Sequence, residues 1–256
     1  TKGKKREQNY SCIGGGILKQ KERRLLLIKE LLKEDKKFHS IGIPKDESGQ
    51  KQLLRGLMNI RSPKEISKEF LNIQDEYLKQ EALEKGVVEL GNLTPITEGI
   101  YLWQGDITRL AVDAIVNAAN SGMTGCYVPN HRCIDNCIHS FSGIQLRNAC
   151  AAIMREQGYE EPTGQAKITP AFNLPCGNII HTVGPIVQGE LTQKHCRQLE
   201  SCYCSCLELA AGNNLESLAF CCISTGVFHF PNAKAAEIAV QTVRQFLQQK
   251  TSIKKV

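Results

Sequence analysis

The apolar positions change their rhythm once along the chain, near residue 99. From Glu22 to Asp35 the leucines and an isoleucine recur on one side among Lys and Glu, the pattern of an amphipathic helix that needs a partner. A break at Ile41-Gly42-Ile43-Pro44 precedes Gln52 to Asn59, which is short and apolar enough for a second helix. Ser62, Pro63 and Glu65 form a helix-start signature, and Ile66, Phe70, Ile73 and Tyr77 then repeat at helical spacing. A third helix is predicted from Pro63 to about Lys85. With polar outer faces and no clustered catalytic residue types, these helices read as a small cap packed on the domain behind it.

Beyond Gly99 short strand-like runs take over, at Ile100 to Trp103, Ala114 to Asn117, Ala166 to Ala171, Asn178 to Thr182 and Leu218 to Ile223. Helical stretches separate them, from about Ile134 to His139, Gln145 to Gln157, Thr192 to Ala211 and Ala233 to Gln249. This alternation predicts a layered α/β sheet. In such a sheet ligands gather at the carboxyl ends of strands, where loops lead into helix N-termini. Residues 1–20, with Gly14-Gly15-Gly16 and scattered charge, read as a flexible lead, and residues 251–256 as a basic tail.

Composition narrows the class. With 256 residues, 41% hydrophobic and 23% charged, the chain suits a soluble α/β domain with an appendage. No apolar run approaches the length that spans a bilayer. Much of the +6 formal charge sits before residue 40 and at the end, as in Lys254-Lys255, which fits solvated tails better than a nucleic-acid surface. Twelve cysteines without a hydrophobic signal segment point to reduced thiols and a cytoplasmic protein. Most lie in apolar stretches such as Ala219 to Ile223, where Cys packs as a small hydrophobe. Cys196, Cys202, Cys204 and Cys206 with His195 fall in a predicted helix whose alternate residues face apart, so no second metal is expected there.

Three loops carry candidate chemistry. In Gln104-Gly105-Asp106-Ile107-Thr108 the carboxylate of Asp106 has two readings: acceptor for an adenine amino group, or cap of the turn before Thr108. The run Val112 to Asn120 ends in small residues and amides that either brace a loop or hold a ligand. Directly after it, Gly125 to His139 is the densest patch of metal-type ligands. Cys126, His131 and Cys133 offer two thiolates and an imidazole within eight residues, a set that suits tetrahedral zinc. Cys137, one helical turn beyond Cys133, would close the site as a fourth ligand; without it a position stays open, as catalysis requires. The third loop, Ser224-Thr225-Gly226-Val227-Phe228 between a buried strand and a helix, reads as an amide wrap for a diphosphate or as an ordinary turn.

Taken together, the Gln-Gly-Asp-Ile-Thr loop, Val-Asp-Ala-Ile-Val-Asn-Ala-Ala-Asn, Thr182-Val183-Gly184-Pro185 and Ser-Thr-Gly-Val-Phe resemble a macrodomain, a family that binds ADP-ribose. The insertion Gly-Cys-x4-His-x-Cys-Ile-Asp-Asn-x-Ile-His is similar to that of the zinc-containing branch, which hydrolyses protein-linked ADP-ribose. The resemblance implies a three-layer α/β/α mixed sheet over residues 90–250, with a helical region over 21–89. It implies that Asp106 holds the adenine amino group with Ile107 beside it, and that Asn120 orients the distal ribose. Cys133, Ile134, Asp135 and Asn136 would line the diphosphate and ribose, as would Ser224 to Phe228. Zinc would sit on Cys126, His131 and Cys133, which favours the open site, with Asn120 and Asp135 as candidates for positioning the attacking water. The implied substrate is an ADP-ribosylated protein, opposing a sirtuin-like transferase. The rivals are a non-catalytic ADP-ribose reader with a structural zinc, and a zinc-stabilised nucleic-acid binder. One departure is His229, where the family pattern has Gly.

Overall fold

The computed structural model of the protein describes residues 12–13 and 16–256, with side chains from Leu18 onward; of the lead expected over residues 1–20, residues 1–11, 14 and 15 lie outside them. A short antiparallel pair, β1 (Cys12–Ile13) and β2 (Gly16–Ile17), leads into three helices, α1 (Gln20–Lys33), α2 (Glu47–Ile60) and α3 (Lys68–Lys85). Two of their starts differ from the sequence expectation. Asp46 accepts from the Gly49 amide, so α2 begins at Glu47 rather than Gln52. α3 is capped by Ser67, whose hydroxyl accepts from the Phe70 amide, not by Ser62. The carbonyls of Lys64 and Glu65 are instead held by the Arg61 guanidinium, which keeps that stretch out of the helix. Leu27, Ile28 and Leu31 of α1 pack with Leu54 and Leu57 of α2 and Phe70, Ile73 and Tyr77 of α3.

The remaining strands are β3 (Val88–Glu89), β4 (Pro95–Thr97), β5 (Ile100–Tyr101), β6 (Leu110–Ala111), β7 (Ala114–Ala119), β8 (Ala166–Pro170), β9 (Asn178–Val183) and β10 (Leu218–Ala219). Four helices interleave: α4 (Ile134–Ser142), α5 (Ile144–Gln157), α6 (Gln193–Gly212) and α7 (Asn232–Leu247). The central sheet has the order β10-β7-β9-β8, parallel except for β8, which runs antiparallel to β9. Side chains alternate across it. Ile115 and Ile179 face Ile138 and Leu146 of α4 and α5. Val116 and Ile180 face Leu199 and Leu207 of α6 and Val243 of α7. The result is the expected three-layer α/β/α mixed sheet. Cys202 and Cys206 lie in its core, and His195 forms a capping box with Thr192 at the start of α6.

The end of the chain is not a loose basic tail. The Lys254 and Lys255 amides donate to the Glu216 carbonyl, the Leu218 amide donates to the Lys255 carbonyl, and Val256 exchanges bonds with Gly99 and Tyr101. Ile253 is buried in the α6–α7 layer. The segment thus joins β10 to the β4–β5 pair, and only its two lysines face water; an apolar Ile and Val among them anchor it. No helix of the described residues is long and apolar enough to cross a membrane.

Candidate active site

β7 and β10 are parallel neighbours, so the loops leaving their carboxyl ends rise side by side at one end of the sheet. Between them and the 103–107 loop opens a cleft of about 760 Å³, a size that accommodates a nucleotide-sugar ligand. Asp106 and Ile107 line it on one side, His131, Cys133 and Ile134 on another, and Ser224 to Phe228 on a third. Asp106 Oδ1 accepts from both the amide and the hydroxyl of Thr108. The carboxylate therefore caps its turn and faces the cleft at once; the two sequence readings are compatible.

The Ser224–Phe228 loop is folded on itself. The His229 amide donates to the Gly226 carbonyl and the Phe230 amide to the Ser224 carbonyl. The amides of Gly226, Val227 and Phe228 take no backbone partner among the described residues, which leaves them available to an anion. Ser224 (φ 63°) and His229 (φ 56°) both adopt the left-handed conformation. That explains why glycine suits position 229, and the exposed imidazole leaves the turn its shape. Gly184 is equally constrained, since a side chain there would run into Ser224 Oγ.

Opposite, the ligand atoms of Cys126, His131 and Cys133 lie within 4.8 Å of one another, with Cys126 Sγ 3.6 Å from His131 Nδ1. Cys133 doubles as the N-cap of α4, accepting from the Asn136 amide. Burial first, and the adjacent Cys126, push its thiol up to about 11. Cys137 is outside this group; its sulfur accepts from Arg55 Nη2 at 3.5 Å. Three candidate donors thus lie together with the Cys137 sulfur outside them, and two sulfurs with an imidazole are chemically fit for zinc.

Of the Cys133–Asn136 segment, Cys133 and Ile134 line the cleft, whereas Asp135 and Asn136 sit behind it. Asp135 Oδ1 accepts from Asn117 at 2.8 Å and Oδ2 from Asn120 at 3.2 Å, and burial pushes its carboxyl up to about 6. Asn120 itself is exposed and also donates to the Gly125 carbonyl. Asn136 is fully buried, and its amide spans the Cys126 and Val128 carbonyls. A second group, His139, Cys150 and His181, is wholly buried. Thr169 and Asn117 engage the two nitrogens of His181, and burial pushes the Cys150 thiol up to about 12, so this group reads as packed core.

Sequence reasoning missed the residues that hold the ligand loop from behind: Arg55 and Asn59 on α2, and Arg147 on α5. Arg147 donates to the Thr124 and Cys126 carbonyls and to three carbonyls at the end of α2, those of Met58, Asn59 and Arg61. A signal was present in Gly56, a glycine inside an otherwise helical pattern, which marks a close approach.

Comparison with known proteins supports the same picture. The macro domain family model matches residues 116–239. A protein-ADP-ribose hydrolase of Treponema medium is 59% identical over 241 residues, 93% of this chain and 92% of that protein. A protein-ADP-ribose hydrolase of Staphylococcus aureus (strain MSSA476) is 46% identical over 242 residues, 93% of this chain and 91% of that one. Among solved structures, the Trypanosoma brucei macrodomain in complex with ADP-ribose matches with a TM-score of 0.60 at 28% identity, covering 78% of this chain and 87% of that one. The Oceanobacillus iheyensis macrodomain with ADP matches with a TM-score of 0.55 at 38% identity, covering 63% and 83%. The layered sheet, the cleft at the ends of its parallel strands and an identity of this level over nearly the whole length place the chain in the macro domain family.

Proposed function

We propose that the chain is a hydrolase that removes mono-ADP-ribose from modified proteins, with a zinc ion held by Cys126, His131 and Cys133. Relatives at 59% and 46% identity bear the name protein-ADP-ribose hydrolase, which supports the reaction. The metal rests on one observation: two thiol sulfurs and an imidazole nitrogen lie within 4.8 Å of one another at a cleft whose opposite wall holds amides with no backbone partner among the described residues. A diphosphate on those amides would direct the distal ribose toward the metal loop. When bound, zinc would supply Lewis-acid polarisation and acidify water, less strongly than at an all-histidine site because two thiolates offset its charge.

The chain's own groups divide the remaining work. Asp106 and Ile107 receive the adenine, and Ser224 to Phe228 receive the phosphates. Asn120, exposed beside the metal loop, orients the distal ribose or the attacking water. Asp135 acts through Asn120: its carboxylate is buried and held by two amide donors, which suits a positioning role better than that of a base. The proposal carries with it a cytoplasmic setting, a sirtuin-like transferase as the source of the modification, and a division into a helical region (21–89) and a macrodomain (90–250).

The test is release of free ADP-ribose from a panel of mono-ADP-ribosylated proteins, with metal content read in parallel. Native protein should carry one zinc and release ADP-ribose; chelated protein and the Cys126→Ser and Cys133→Ala variants should lose at least tenfold in rate. Stoichiometric zinc with tight ADP-ribose binding and no release on any substrate would instead make this a reader.

A further inference from the structure

The loop that bears the three candidate ligands is held by Asn136 of α4 and Arg147 of α5, and also by the helical region in front of it. One face of α2 presents Arg55, Gly56 and Asn59, the outer two one helical turn apart. Asn59 Oδ1 accepts from the Asn130 amide at 2.9 Å, within the loop between Cys126 and His131. Asn130 is itself in the left-handed conformation (φ 56°), so this bond holds a strained turn. At Gly56 the loop comes so near that an added Cβ would lie 3.3 Å from Asn130 Nδ2 and 3.8 Å from Pro129 Cβ. Arg55 Nη2 donates to the His131 carbonyl at 2.7 Å and to Asn136 Oδ1 at 2.8 Å. The Asn136 side-chain nitrogen in turn spans the Cys126 and Val128 carbonyls. One guanidinium thus reaches all three ligand residues: His131 directly, Cys126 through Asn136, and Cys133 through the first turn of α4, whose Asn136 amide bonds the sulfur.

We infer that Arg55, with Asn59 and the clearance at Gly56, is a positioning device that sets the metal loop, so that the helical region is a working part of the metal centre. Groups that orient ligands from behind typically change metal affinity by about 10–100-fold when removed. Arg55 touches neither the Asp106 side of the cleft nor the Ser224–Phe228 wall, so its loss bears on the metal and on turnover, not on nucleotide binding. This role rests on the proposed zinc site.

The experiment compares intact protein with Arg55→Met, Arg55→Lys and Gly56→Leu by three readouts: zinc affinity by competition with a chromophoric chelator, ADP-ribose affinity by calorimetry, and kcat and KM for release. Arg55→Met should hold zinc at least tenfold more weakly and lose kcat, with ADP-ribose affinity within about twofold of the parent. Arg55→Lys, which keeps the charge but not the fork, should recover part of the loss. Gly56→Leu raises helix propensity, so α2 persists while the loop is pushed away, and it should reproduce the zinc defect. If intact protein binds zinc and all three variants bind it equally well, the positioning role is overturned. A fall in zinc and ADP-ribose affinity together would also overturn it, by showing a general loss of structure. An intact protein that binds no zinc at all would overturn the metal site on which it rests.

Discussion

At the scale of single residues the site depends on pairs more than on individual groups. Asp135→Asn keeps the shape of the side chain but sets an amide nitrogen against one of the two donors, Asn117 or Asn120, that now meet carboxylate oxygens. We expect kcat to fall at least tenfold with ADP-ribose affinity nearly unchanged, and urea denaturation to show a loss of about 1–3 kcal/mol from the donor left unmatched. A parallel drop in ADP-ribose affinity would count against the indirect role of Asp135. Gly184→Ala pushes on Ser224 from behind, so it should weaken ADP-ribose binding in calorimetry while leaving zinc affinity alone. What the sequence reveals at this scale is chemical type. Cys126, His131 and Cys133 announce themselves by donor chemistry and spacing, and the structure does bring their donor atoms together. Asp135 shows the limit: a carboxylate at a helix start suits positioning water or capping alike, and only the fold reveals the two amides that occupy it.

At the scale of elements, periodicity locates every helix longer than one turn among the described residues and each strand of the central sheet, because each buries one regular face. It fails at ends. The start of α3 moves to Ser67 because Arg61 claims the carbonyls after Ser62, a contact between segments that no local pattern encodes. The run from Leu218 looks like a full strand, yet pairing stops at Ala219; beyond it Phe220, Cys221 and Cys222 line the cleft while Ile223 is buried in the core under α6 and α7. The C-terminal segment misleads because its lysines are the conspicuous residues, although its apolar ones decide its place. Ile253 is buried at 3% exposure, and Ile253→Ala should cost about 3 kcal/mol in urea denaturation. A loss below about 1 kcal/mol would mean the segment is a passive cover.

At the scale of the whole molecule, the layers enclose groups whose protonation ties stability to pH. His181 lies at the centre of the sheet, and burial pushes it from 6.5 down to about 4. Well above pH 6.5 it is neutral whether the chain is folded or not. As pH falls from 6.5 toward 4 only the unfolded chain takes up the proton, so stability drops by up to about 3 kcal/mol across that window and no further below it. Buried His139 is shifted in the same direction. Urea midpoints at pH 7.5 and 5.0 should therefore diverge less in His181→Gln than in the parent; equal divergence would assign the acid sensitivity elsewhere. The placement of the cleft has a kinetic consequence. On the proposed reading most of its wall, from Asp106 and Ile107 to Ser224–Phe228, would meet the nucleotide, a part that modified protein and freed ADP-ribose have in common. Cleavage would then change only what lies beside the proposed metal loop, so the product would leave the pocket about as reluctantly as the substrate. Accumulating ADP-ribose would then throttle turnover as a competitive inhibitor, and in a cell the rate would be set by how quickly something else clears the free nucleotide sugar.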